Sequence, residues 1–190
     1  LERRDFSHAI ENVTLEPYLA SLSANTRLRF FNRRARLGAL GELERRRYGL
    51  GESAAFFDQH DQFHLSRWGE PCHSERSRRF MRNFLERLED AGGQAMLVVH
   101  ILDGSPLSTL FDVIWQGRRY NLQSGYRIEP LPGRSLGSLH LGLGIEEALK
   151  QGQSYDLLAG RGKHTDYKRA IANTQRPLST LICQKPWLGR

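Results

Sequence analysis

Met96-Leu97-Val98-Val99-His100-Ile101-Leu102-Asp103-Gly104 is a short apolar run, rich in β-branched residues, that closes on a two-residue hairpin signal. Leu107 to Trp115 continues as the next strand, Gln116-Gly117 turns the chain, and Tyr120 to Tyr126 reads as a third strand. The three runs predict an antiparallel meander. Upstream the period becomes helical. Phe56, Phe57, Phe63, Leu65 and Trp68 mark one amphipathic helix, ended by Gly69-Glu70-Pro71. Phe80, Phe84, Leu85 and Leu88 mark a second, with Ser74 as cap and Ala91-Gly92-Gly93 as stop.

Further upstream, residues 1–50 read as a polar helical arm with Leu19, Leu22, Leu28, Phe31, Leu37, Leu40 and Leu43 at loose helical spacing. Ser23 or Asn25 offers a cap within it, and Gly49-Leu50-Gly51 breaks it. It has too few large apolar residues for a core of its own and is expected to pack on another unit. Downstream, Ser138 to Gln151 predicts a helix with Leu141, Ile145, Ala148 and Leu149 on one side and Gly152 as its stop. Tyr155 to Leu158 predicts a strand, Tyr167 to Asn173 a short helix, and Leu178 to Cys183 a last strand. The fold class is α/β (α+β mixed), a mixed sheet with helices on both faces over 51–190, preceded by the arm.

Composition narrows the classes. With 190 residues, 39% hydrophobic and 26% charged, the chain is that of a globular protein of one domain, or of one domain with an appendage. No apolar run nears the roughly 20 residues of a membrane-spanning helix. Cys72 and Cys183 are far apart and form no C-x-x-C unit, which argues against a disulfide scaffold. With no charged-then-apolar opening, a cytoplasmic location is expected. The chain starts at Leu1 rather than Met, as a piece of a longer protein does. The net charge of +7 comes mostly from arginine, since only Lys150, Lys163, Lys168 and Lys185 are lysines. The arginine clusters at 33–36, 45–47 and 76–79 are separated and interleaved with Glu42, Glu44, Glu75 and Glu86. Solvated helix faces account for them better than a nucleic-acid surface.

Chemistry is most legible at Pro132-Gly133-Arg134-Ser135-Leu136-Gly137-Ser138, a glycine-containing turn into a helix. Backbone N–H groups at such an entry, with the positive end of the helix dipole, suit a phosphate or pyrophosphate. A plain loop has the same composition. The strand before it ends Gln123-Ser124-Gly125-Tyr126, and Gly125 weakens pairing at that edge. A strand that parts from its neighbour offers N–H and C=O groups to an extended amide ligand, such as pantetheine, which leads to a pyrophosphate. His60 and His64 stand at i and i+4 beside Asp58 and Asp61, a spacing able to bind zinc on a helix. The order H-E-x-x-H and a regularly spaced third His or Cys are missing, so no metal is assigned.

These motifs together resemble the GNAT acyltransferase superfamily, and within it the CelD-like branch related to Fem-type aminoacyl transferases. The resemblance is carried by His64-Leu65-Ser66-Arg67-Trp68, Asp103-Gly104-Ser105-Pro106-Leu107, Tyr120-x-x-x-Ser124-Gly125-Tyr126, Leu136-Gly137, Tyr155-Asp156-Leu157-Leu158-x-Gly160 and Tyr167-Lys168, in order over about residues 20–175. It implies a central sheet whose splayed strands hold acetyl-CoA or another acyl-CoA. Gln123, Ser124 and Gly125 would face pantetheine. Arg134, Leu136, Gly137 and Ser138 would form the pyrophosphate loop, with Lys168 near a CoA phosphate. Tyr167 would be the general acid; a packing role at a helix start is the alternative. His64 is a candidate base, and Arg67 and Tyr126 candidate substrate contacts. Otherwise His64 and Arg67 tie the helix to the sheet, with Trp68 in the core. Asp156 caps a turn or pairs with Lys168. The implied function is N-acyl transfer from acyl-CoA to an amine, in cell-surface polysaccharide or envelope biosynthesis. The alternatives are a Fem-like transferase using charged tRNA, or a non-catalytic assembly subunit.

Overall fold

The alternation in the meander becomes a two-faced sheet in the computed structural model, which describes residues 3–128, 135–159 and 166–180. The meander is β3 (Gln94–Leu102), β4 (Ser105–Trp115) and β5 (Arg118–Tyr126), each antiparallel to the next. Both hairpins turn on residues in the left-handed region. Asp103 and Gly104 have φ of 46° and 74°, and Gln116 and Gly117 have φ of 50° and 74°. Two consecutive positive φ values match the right-handed twist of the flanking strands.

Four further strands extend the sheet: β1 (Arg3–Ile10), β2 (Leu43–Tyr48), β6 (Ser154–Asp156) and β7 (Thr174–Thr180). The order is β2-β3-β4-β5-β6-β1-β7. Every neighbouring pair is antiparallel except β5 with β6. The reading of residues 1–50 as a helical arm therefore holds only in its middle, for α1 (Leu15–Ser21), α2 (Ala24–Arg27), the π-turn at Leu28–Asn32 and α3 (Arg34–Gly38). Its ends are strands. β1 lies between β6 and β7, and β2 forms the edge beside β3. The last strand also starts earlier than expected, at Thr174, and its expected residues 181–183 lie outside the described residues.

The helices α4 (Ser53–Trp68), α5 (Glu75–Asp90), α6 (Leu136–Lys150) and α7 (Asp166–Ile171) stand close to their expected places. Ser74 caps α5 by accepting the Ser77 N–H at 3.2 Å. Successive strand residues face opposite layers. Leu97, Val99, Phe111 and Val113 pack with Phe56, Phe57 and Leu85 under α4 and α5. Val98 and Leu110 pack with Tyr18, Phe30, Phe31, Leu141, Ile145 and Ala148 under α1 and α6. Each large side chain buried this way contributes about 1.5–3 kcal/mol. Among the described residues, no helix is long and apolar enough to cross a membrane.

Candidate active site

The parallel pair is short. Arg118, Arg119 and Tyr120 of β5 pair with Ser154, Tyr155 and Asp156 of β6, and there the pairing stops. Beyond Tyr120, β5 pairs only with β4 among the described residues. A bulge lies at the point of parting: Asp112 faces Asn121 and Phe111 faces Gln123, so Leu122 is an extra residue on β5. An inserted residue bends its strand and increases the local twist, which turns the end of β5 away from β6.

A buried polar network holds the closed side of this fork. Arg119 is fully buried and donates to Asp112 at 2.6 Å and Glu147 at 2.7 Å. Tyr155 and Asn121 donate to Asp112 at 2.9 and 2.8 Å. Burial alone would weaken the Arg119 charge, and Asp112, with Glu147, more than offsets it, so its pKa is raised. The network ties β4, β5, β6 and α6 together and was not foreseen from the sequence. The signal that could have found it is the Arg118-Arg119 pair in an otherwise strand-like run.

The open side is a cleft of about 470 Å³ lined by residues that include Phe30, His64, Arg67, Ser124, Tyr126, Gly137, Ser138 and Tyr167. It therefore gathers seven of the side chains or backbone positions expected from the sequence: His64, Arg67, Ser124, Tyr126, Gly137, Ser138 and Tyr167. The first turn of α6 meets it directly. Ser135 gives that turn no side-chain cap, and its hydroxyl pairs with Ser138 Oγ at 2.9 Å instead. Arg29 Nε donates to Ser138 Oγ at 3.0 Å, bringing a cation that sequence reading missed to the same spot. Gly137 is needed for closeness, because a Cβ there would lie 2.8 Å from Tyr126 Cε1.

Other expected residues sit elsewhere. Gln123 donates to Cys72 Sγ at 3.1 Å. A Cβ at Gly125 would meet Thr109 Oγ1 at 2.8 Å, so that residue faces α4 and β4 rather than the cleft. Leu136 is buried with Leu37 and Leu107. Lys168 donates to the carbonyls of Leu157 and Ala159 at 2.6 and 3.0 Å, closing the turn after β6. Asp156 caps that turn by accepting the Leu158 N–H at 2.8 Å. Arg134 lies outside the described residues. Trp68, expected as a core residue, is 60% exposed, and the Arg67 guanidinium stands 4.7 Å from its ring and 4.6 Å from that of Tyr126.

Two titratable groups line this cleft, His64 from α4 and Tyr167 from α7. Tyr167 stacks on Phe30 at 6.2 Å, and burial, with Tyr126 adding to it, raises its hydroxyl pKa above the usual 10. Burial lowers the His64 pKa below the usual 6.5, so its imidazole is neutral at pH 7. Behind His64, His60 Nδ1 lies 2.8 Å from Thr109 Oγ1 and the His60 ring stacks on His64 at 4.8 Å. The carboxylates beside them are engaged. Asp61 accepts from His73 Nδ1 at 2.8 Å and from Arg78 Nη2 at 2.5 Å, and Asp58 pairs with Arg78. A larger apolar groove of about 670 Å³ around Phe84, Trp115 and Tyr120 holds no acid–base pair.

The site is thus a mixed sheet whose parallel pair ends beside an uncapped helix entry. Residues 24–169 match the family model of the acetyltransferase (GNAT) domain, and the chain belongs to that family. Comparison with curated protein sequences returns no match. Solved structures share the fold. One is the C-terminal domain (DUF2156) of a protein described as a lysylphosphatidylglycerol synthetase from Agrobacterium fabrum, with a TM-score of 0.56, 10% identity, 94% of this chain covered and 60% of that one. Another is a conserved protein of unknown function from Bacteroides thetaiotaomicron, with a TM-score of 0.60, 10% identity and coverage of 93% and 61%. The chain thus spans about 60% of the length of either neighbour.

Proposed function

We propose that the chain transfers an acetyl or longer acyl group from CoA to an amine. The observation that carries this reading is the fork itself: β5 leaves β6 after three paired residues, and the gap ends at the first turn of α6. The free edge of β5 at residues 123–125 has N–H and C=O groups able to pair with the amides of pantetheine. Its backbone serves here, because the Gln123 side chain is occupied by Cys72 and Gly125 has no side chain. The α6 N–H groups and Arg29 suit the pyrophosphate. His64, neutral at pH 7, takes a proton from the attacking amine. A backbone N–H of β5 holds the tetrahedral oxyanion, and Tyr167 gives a proton to the departing thiolate. Arg67, cushioned between two rings, meets an anionic part of the acceptor or acyl group. A CelD-like role in polysaccharide or envelope biosynthesis, in the cytoplasm, is the matching biological setting.

The test is ligand-induced stabilisation. Acetyl-CoA or a longer acyl-CoA raises the melting temperature of the chain, and Gly137→Val, which pushes a side chain into Tyr126, removes the rise. A chain whose melting is unmoved by every acyl-CoA refutes the cofactor reading.

The arginines at the cleft, with a structural neighbour described as a lysylphosphatidylglycerol synthetase, support a second reading, a Fem-like transferase fed by aminoacyl-tRNA. Filter binding separates the two, because only this second enzyme retains charged tRNA at physiological salt. A non-catalytic assembly subunit would show neither binding.

A further inference from the structure

The loop between α4 and α5 supplies the third donor that the sequence spacing of His60 and His64 lacked. One ring nitrogen of each histidine and the Cys72 Sγ all lie within 4.8 Å of one another. His60 is fully buried, and its Nε2 has no hydrogen-bond partner. An unpaired buried nitrogen of this kind costs free energy unless something binds it.

The surroundings orient the donors. His60 Nδ1 is held by Thr109 Oγ1 at 2.8 Å, and that hydroxyl has the Gly125 carbonyl at 3.5 Å to donate to. The Nδ1–H tautomer follows, leaving the Nε2 lone pair directed away from Thr109. The His64 ring stacks on that of His60 with centroids 4.8 Å apart. Gln123 Nε2 donates to Cys72 Sγ at 3.1 Å. Two of the three donors, His60 and Cys72, thus have a hydrogen bond of the kind that gives metal ligands their direction.

We propose that His60, His64 and Cys72 bind a zinc ion at the wall of the cleft. Two imidazoles and a thiolate suit zinc and not magnesium or calcium, which take oxygen. Zinc bonds of about 2.0–2.3 Å put tetrahedral donors about 3.3–3.7 Å apart, so the site closes by a shift of about 1 Å. Cys72 stands on the loop between α4 and α5. Binding replaces the thiol proton, which leaves to solvent as Sγ joins the metal. Three protein donors leave the fourth position to water. The ion ties the 69–74 loop to α4. It does not rest on the acyl-transfer reading, and it competes with it at one atom: with zinc bound, the His64 lone pair is no longer free to accept a proton.

Cobalt(II) is the probe. Untagged, metal-stripped chain titrated with Co²⁺ takes up one equivalent, with a thiolate-to-cobalt charge-transfer band in the near ultraviolet and visible bands of tetrahedral intensity, and Zn²⁺ displaces it. Cys72→Ser loses the charge-transfer band while its circular dichroism stays that of the parent; Cys183→Ser keeps the band. His60→Gln loses one-to-one binding, but His60 is a core position, so Cys72→Ser decides. Absence of the band, its persistence in Cys72→Ser, or its loss in Cys183→Ser overturns the site. None of these readouts involves acyl transfer, so failure of the metal site and failure of the proposed function are separate results.

Discussion

Tyr167 and His64 face one cleft from opposite shifts. Burial raises the tyrosine pKa and lowers that of the histidine, so at neutral pH each is in the protonation state that the proposed mechanism requires. A base must be neutral to act, so activity should fall as the pH drops through the histidine value, below 6.5, and should stay level toward 10. Metal-stripped chain, assayed by thiol release from acetyl-CoA with a panel of amines, checks this. His64→Ala should lower the rate about 10²–10⁴-fold and remove the acid limb. Tyr167→Phe should cost about 10²-fold or more with the limb intact. An acid limb that survives in His64→Ala belongs to another group. At this scale the sequence marked most of the cleft. Ser124, Gly137 and Ser138 were legible from local pattern, as a strand end and a glycine-bearing helix entry, while His64, Arg67, Tyr126 and Tyr167 were named through the family resemblance. Arg29 and Cys72 were not, since nothing near them in the chain shows what folding brings beside them.

At the scale of elements, α6 is the piece on which the cleft depends. Its first turn faces the gap and its middle packs against the π-turn at 28–32 through Gly142. A Cβ at Gly142 would lie 1.9 Å from the Phe30 carbonyl oxygen, which is backbone and cannot step aside. Gly142→Ala should therefore destabilise by about 1–3 kcal/mol, as overpacking does. Gly38→Ala, with open space around it in α3, should be neutral or stabilising by up to about 1 kcal/mol. Urea denaturation of both variants compares them, and equal midpoints would contradict this packing account. The β5 bulge at Leu122 is the second decisive device. It could not be read in advance, because an extra residue in a strand is defined only against the partner it faces.

For the whole molecule, the buried histidines give the acid response. Burial, with His64 adding to it, lowers His60 to about 3, and burial, with Arg45 adding to it, lowers His100 to about 4. His140 is lowered well below 6.5, first by burial and then by His100 beside it. The unfolded chain takes up these protons near 6.5 while the folded chain does not. Stability is therefore full above about 6.5 and is lost progressively as the pH falls toward 4. Urea midpoints measured from pH 7.5 to 4.5 should decline across that window. A flat profile would mean that these rings are protonated in the folded state.

The meander, the helices α4 to α6 and the glycine-bearing entry to α6 were written in the sequence itself, because hydrophobic period, turn residues and caps act over a few neighbouring residues. Tertiary structure decided the rest. Leu43–Tyr48 is made of residues that favour helix, yet it is an edge strand because β3 offers it an unpaired row of N–H and C=O groups. Arg3–Ile10 is a strand inside the sheet because β6 and β7, some 150 residues later, come to lie on its two sides. The fork between β5 and β6 belongs to the same kind: pairing, and its end, are set by partners distant in the chain, and no local pattern encodes where such partners part.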